Sequence, residues 1–196
     1  SALKLSEQTG YEWGIAYSNN NIGLLYFDQG NYGEALKYYT AALKTVQRLG
    51  DKNGIAYFTA NIADAYKKQG NYSISLEKQM ACIKLFEEIG ERNALGLTYL
   101  NIGSIYEIMD DYHAALTKYA EALKIYESEI NKFGISLSYI YIGSVYTKLK
   151  EYGIAKKYLE DGLSLAKNMG IKEHIRDSYQ KMTRLDSVTG NWKNAF

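Results

Sequence analysis

Apolar and aromatic side chains recur in this chain at the spacing of one helix face, and the whole pattern returns every forty residues. In residues 51–70 the set Ile55, Tyr57, Phe58, Ile62, Ala65 and Tyr66 follows the i, i+3, i+4, i+7 spacing of a helix with one face turned inward. Gly70 can close that helix in the left-handed conformation, and Asn71 is suited to cap the next one. Forty residues earlier stand Asn21-Ile22-Gly23, Tyr26, Gly30-Asn31-Tyr32, Ala35-Leu36 and Tyr39. Forty residues later stand Asn101-Ile102-Gly103, Tyr106, Asp110-Asp111-Tyr112, Ala115-Leu116 and Tyr119. A fourth copy shows Ile142-Gly143, Tyr146, Tyr152, Ala155 and Tyr158, and a fifth runs from Met182 to Gly190-Asn191-Trp192 and Ala195-Phe196.

Repetition at this period is the signature of a solenoid, in which no unit buries its apolar face alone. The pattern predicts an all-α chain with two helices of roughly 16–18 residues, about 25 Å each, per repeat. Full repeats fall at 11–50, 51–90, 91–130 and 131–170, with a partial repeat at 171–196 and the end of a preceding helix at 1–10. No linker or domain boundary interrupts them, so 1–196 reads as a single array, and its cut-looking ends read as an excerpt from a longer one. Asp110 and Lys150 stand where Gly30 and Gly70 close the first helices, and Ile130 where Gly50, Gly90 and Gly170 close the second. Asn31, Asn71, Asp111 and Asn191 are the expected caps of the second helices, Glu151 the poorer one.

Small residues set the expected packing. Gly23, Ala63, Gly103 and Gly143 follow the recurring Ile, while Ala35, Ser75, Ala115 and Ala155 open the second helix. Ala42, Cys82, Ala122 and Gly162 come seven residues later, so Cys82 reads as a packing residue. Tyr26, Tyr66, Tyr106 and Tyr146 read as packing between helices.

Composition narrows the function. There is no Pro, which suits stacked helices with short connections, and no run of 18 apolar residues, so no membrane-spanning helix is expected. A net charge of +1 argues against general nucleic-acid binding. Residues 1–130 carry 12 Lys+Arg against 16 Asp+Glu, and residues 131–196 carry 11 against 6. That gradient reads as a solvated outer face, the alternative being a weak preference for an acidic partner at the C-terminal end. One Cys cannot form an internal disulfide and fits a reducing compartment. A cytoplasmic location is expected, with the periplasm left open because no native N-terminus is visible. His113 and His174 lack partners at ligand spacing, and no Gly-rich phosphate loop occurs. The chain is expected to be no enzyme, with no cofactor and no metal.

The order aliphatic, small, aromatic, small, aromatic, small (Ile22, Gly23, Tyr26, Ala35, Tyr39, Ala42 and copies) resembles the tetratricopeptide repeat over essentially the whole chain. Two features depart from it. The repeats have forty residues rather than 34, and the proline near the end of the second helix is replaced by Gln47, Glu87, Glu127 and Lys167. Such versions look like the repeats of spindle-orientation adaptors and of bacterial regulators, where the array precedes a histidine kinase, nucleotide cyclase or DNA-binding output. The resemblance implies a right-handed superhelix (an α-solenoid) of antiparallel helix pairs, with first helices lining a concave groove that binds peptides or protein segments.

In that family the position before the recurring Ile faces the groove, which here gives Asn21, Asn61, Asn101, Tyr141 and Lys181. An Asn amide can both accept from and donate to a peptide unit of a bound chain. First helices about 10 Å apart would place one such amide at roughly every third residue of an extended segment. Tyr17 and Tyr57 lie one turn earlier with Asn20 beside them, and Asp64 and Arg184 lie three residues after the column. The competing reading is that the asparagines bond only to neighbouring helices and fix their register. Lys181 and Arg184 are the only cations expected on this face, too few for a clamp on a free carboxylate. The expected partner is a protein or extended peptide segment in the groove, with no nucleic acid and no membrane insertion. By analogy with the bacterial regulators it resembles, the expected function is that of a sensing or partner-recruiting module of a larger bacterial signalling protein. The alternative is a structural spacer, or a homodimer through the terminal helices.

Overall fold

The computed structural model describes residues 11–190, so the expected helix end at 1–10 and the positions Asn191, Trp192 and Ala195 lie outside the described residues. Nine α-helices occupy the described residues: α1 (Glu12–Asp28), α2 (Tyr32–Leu49), α3 (Lys52–Lys68), α4 (Tyr72–Ile89), α5 (Arg92–Ile108), α6 (Tyr112–Ser128), α7 (Lys132–Lys148), α8 (Tyr152–Met169) and α9 (Lys172–Thr189). The first helices α1, α3, α5, α7 and α9 start forty residues apart, as do the second helices α2, α4, α6 and α8. The chain divides after Glu91 into two compact units, the first holding α1–α4 and the second α5–α9.

Helix ends are set by the turn chemistry that the sequence shows. After each first helix one residue takes positive φ: Gly30 (76°), Gly70 (81°), Asp110 (59°), Lys150 (64°) and Gly190 (75°). The next amide then donates back to the recurring tyrosine's carbonyl, Asn31 to Tyr26 at 2.8 Å and Asp111 to Tyr106 at 2.9 Å, which satisfies an otherwise orphaned acceptor. Ile130 does the same after α6 at φ 52°, where a β-branched side chain is strained. Asn31 and Asp111 cap the helices that follow them through Glu34 N and Ala114 N. Asn71 and Glu151 make no side-chain cap bond, and the Asn71 Nδ2 donates to Gln69 Oε1 at 3.2 Å.

Packing pairs a missing side chain with a ring. In unit 1, a Cβ at Gly23 would lie 2.6 Å from the ring of Tyr39, which is 1 % exposed, so α1 and α2 approach this closely only because the glycine is bare. Gly103 meets Tyr119 in the same way in unit 2, and a Cβ at Gly143 would stand 2.7 Å from Leu159. Leu159, not Tyr158, therefore fills the Tyr39 and Tyr119 position in the fourth repeat, which corrects the register read from the aromatic identity. Tyr158 stacks instead on Tyr146, with centroids 5.9 Å apart, as Tyr38 stacks on Tyr26 at 5.4 Å. The core of unit 2 gathers Leu100, Ala115, Tyr119, Ala122, Tyr126, Ile142 and Val145. Cys82 is fully buried, its thiol directed at the Ala56 carbonyl, and burial pushes its pKa up to about 12. It is a packing residue without nucleophilic character.

Candidate peptide-binding face

In unit 1 the expected site residues fall on the first helices α1 and α3. Tyr17, Asn21 and Leu24 are exposed and lie on one face of α1 by their i, i+4, i+7 spacing. The Tyr17 ring packs edge-on against Phe58, and its hydroxyl donates to Asp51 Oδ2 at 3.1 Å. Burial, and then Asp51, hold that hydroxyl above the usual tyrosine range. Asp51 uses its other oxygen to cap α3 through Gly54 N, so Tyr17 rests on a braced partner. Tyr57 is exposed on α3, its ring edge-on to Phe86. Asn61 is half-buried and donates through Nδ2 to Oδ1 of the buried Asn20 at 2.8 Å. The structure thus joins two of the expected binding residues to each other, as the register-fixing reading requires. Asp64 accepts from Gln79 Nε2 at 3.1 Å and lies 3.8 Å from Lys67. Desolvation raises the Asp64 carboxyl pKa and lowers that of the Lys67 ammonium.

In unit 2 the corresponding row is Leu97 and Asn101 on α5, Tyr141 on α7, and Lys181 and Arg184 on α9. Leu97 is exposed, Asn101 and Tyr141 are half-buried, and Tyr141 stacks on Tyr119 with ring centroids 5.2 Å apart. Lys181 is half-buried and Arg184 exposed.

Sequence reasoning missed Glu107, the hub of this part of unit 2. Its Oε2 accepts from the Tyr119 hydroxyl at 2.9 Å, and its Oε1 from Ser144 at 3.1 Å and Lys148 at 3.2 Å. The Lys148 ammonium also lies over the Tyr112 ring, 5.3 Å from its centroid. Lys148 is thus a further cation beside Lys181 and Arg184, but it is already paired. Burial first, then Glu107, push the Tyr119 hydroxyl far above its ordinary pKa, so it stays protonated and donates.

What these groups can do is hold backbone and apolar side chains. His174 is buried on α9, its Nδ1 3.3 Å from Ser136 Oγ and its ring 4.4 Å from that of Phe133, and desolvation lowers its pKa. It sits buried in the packing of α9 against α7. Among the described residues no group of three His, Cys, Asp or Glu side chains could hold a metal ion, and no helix is long and apolar enough to cross a membrane.

The tetratricopeptide-repeat model matches residues 14–88, 55–128 and 94–168. No curated protein matches the chain at a significant level. Among solved structures, one similar to this chain is a signal transduction ATPase with numerous domains that carries a tetratricopeptide repeat sensor, from Pyrococcus horikoshii. It is 22% identical with a TM-score of 0.81, over 94% of this chain and 29% of that one. Aspartyl phosphate phosphatase F from Bacillus subtilis is 16% identical with a TM-score of 0.85, over 98% of this chain and 51% of that one. A Rap protein complexed with competence and sporulation factor is 16% identical with a TM-score of 0.80, over 94% of this chain and 51% of that one. This chain therefore spans less than a third of the first of these and about half of the other two, and at these identities the likeness is one of fold. The helix pairs, their forty-residue spacing and the family match agree: the chain belongs to the tetratricopeptide-repeat family, whose repeat is in general a scaffold for protein interaction.

Proposed function

We propose that 1–196 is one array acting as a non-enzymatic interaction module, which binds a protein or an extended peptide segment on the first-helix face of unit 1 or of unit 2. The observation that carries this reading is the exposure of Tyr17, Tyr57 and Leu97, which recur at forty-residue intervals on the first helices beside polar side chains. Large apolar groups left on a common helix position beside amides suit a ligand that offers both backbone and side chain. Asn21, Asn101, Tyr141, Lys181 and Arg184 would contact the segment directly. Asn61 would do so while held from behind by Asn20, whose burial gives it a supporting role and not the direct contact expected of it, and Asp64 would add a carboxylate. The module would serve as the sensing or partner-recruiting part of a larger bacterial signalling protein in the cytoplasm. The sensor named in the Pyrococcus structure and the factor bound to the Rap protein support that context by likeness of fold.

Selection of short random peptides against the array tests this. Enriched peptides should bind a Tyr57→Ser, Leu97→Ser double variant at least about tenfold more weakly, a loss of about 1.4 kcal/mol, at unchanged helicity. Equal binding to both proteins would place the ligand elsewhere.

Exposed Tyr179 and Val188 on α9, with a cavity of about 480 Å³ lined by Tyr152, Met182 and Leu185 among others, favour a second reading. In it the array associates with a second copy through its terminal helices. Sedimentation velocity at rising concentration tests it: a fixed monomer would exclude it.

A further inference from the structure

Tyr99 on α5 and Tyr139 on α7 hold the same position in consecutive repeats, but their surroundings differ. On α6, Lys118 places its ammonium 5.4 Å from the centroid of the Tyr99 ring and 2.8 Å from Glu121 Oε2. A cation thus rests against an aromatic face and a carboxylate, each of which attracts it. Forty residues on, Tyr158 replaces Lys118 and Asp161 replaces Glu121. The cation has gone from the pattern while the ring and the carboxylate remain.

What replaces it is a cavity. Tyr139 and Tyr158 meet edge to face with centroids 5.6 Å apart. Beside them opens a space of about 490 Å³ lined by both tyrosines, Glu127, Asp161, Ile154 and Lys157 among others. Neither carboxylate forms an ion pair among the described residues. Burial raises the pKa of both tyrosine hydroxyls, followed at Tyr139 by Glu127 and Asp161 and at Tyr158 by Tyr146 and then the same two carboxylates, so the negative field reaches the rings. Lys157 is exposed and pairs with neither acid, so it does not fill the space as Lys118 does one repeat earlier.

We propose that this pocket in unit 2, bounded by the second helices α6 and α8, binds one cationic side chain of a partner segment, an arginine guanidinium or a lysine ammonium. The site is separate from the first-helix row and adds a second requirement to any partner. Glu127 and Asp161 are exposed at its edge, so a long side chain reaches them from solvent while its head meets the rings.

Amide NMR spectra of the whole chain, titrated with N-acetyl-arginine amide and with the neutral isostere N-acetyl-citrulline amide, test the assignment. The arginine compound should shift Tyr139, Ile154, Tyr158 and Asp161, and the citrulline compound should not. Asp161→Asn and Glu127→Gln should each weaken binding about threefold. Tyr158→Lys, which installs the residue of the preceding repeat, should abolish it, and Lys118→Tyr should open a second responsive set around Tyr99. If Tyr158→Lys perturbs the fold through its lost stack on Tyr146, the two carboxylate variants decide. No shifts, equal shifts with citrulline, or binding indifferent to both carboxylates would overturn the proposal. So would binding of tetramethylammonium without binding of N-acetyl-arginine amide or N-acetyl-lysine amide, since the pocket would then take a quaternary ammonium ion and not a basic side chain.

Discussion

Asn61 donates to Asn20 across 2.8 Å, tying α3 to α1 with an amide pair in which the acceptor is buried. Removing the donor leaves a buried carbonyl oxygen without its partner, which costs more than the bond contributes. Asn61→Ala should therefore cost about 1–2 kcal/mol in urea unfolding, whereas the exposed Asn21→Ala should change stability by no more than about 0.5 kcal/mol. Equal effects would mean that the pair does not carry the register of unit 1.

Gly23 admits the Tyr39 ring to within contact of the α1 backbone. Gly23→Ala should force that fully packed ring aside and cost about 1–3 kcal/mol, and Ala115→Leu, at a fully buried position of unit 2, should cost a similar amount. Melting curves like that of the wild type would contradict the close approach at these positions.

Ile130 holds φ at 52° while the residue is 79 % exposed, so it strains the backbone and packs little in return. Ile130→Gly should relieve about 1–2 kcal/mol of left-handed strain against a smaller loss of backbone entropy, for a net gain of about 0.5–1 kcal/mol in chemical denaturation. Lys150→Gly should act in the same direction.

His174 has its pKa lowered by burial from the ordinary 6.5, against weaker opposing fields from Asp177 and Glu173. A depressed histidine pKa means that the unfolded chain takes the proton first. Its stabilising contribution is full above about pH 6.5 and is lost as pH falls from there towards the folded pKa. His174→Gln should flatten the pH dependence of stability in that window. An unaltered slope between wild type and variant would show that other groups carry it.

Much of this was legible from residue spacing because the repeat averages over local accidents. Gly30 and Gly70 marked turns that Asp110 and Lys150 also make, and Gly23 and Gly103 marked the close approaches that Tyr39 and Tyr119 fill. What stayed hidden depends on side-chain direction. Tyr158 drew the register one residue off because it adjoins Leu159, the side chain that meets Gly143. Glu107 follows the recurring Tyr106, but its copies are Phe27, Lys67 and Thr147, so its column carries no pattern to single it out. Asn71 has the right residue type for a cap and uses its amide on Gln69. The asparagine column could not reveal that Asn61 turns to Asn20, since spacing places both amides on α1 and α3 without aiming them. The excess of Lys and Arg after residue 130 likewise hides Asp161, which with Glu127 makes a local acidic pair beside two tyrosines.

The most direct test is to map where a selected peptide lies, using amide shifts on the isotopically labelled array. The account predicts perturbations concentrated at Tyr17, Asn21, Leu24, Tyr57 and Asn61 in unit 1, or at Leu97, Asn101 and Tyr141 in unit 2. A footprint confined to the second helices α2, α4, α6 and α8, with those residues silent, would contradict it.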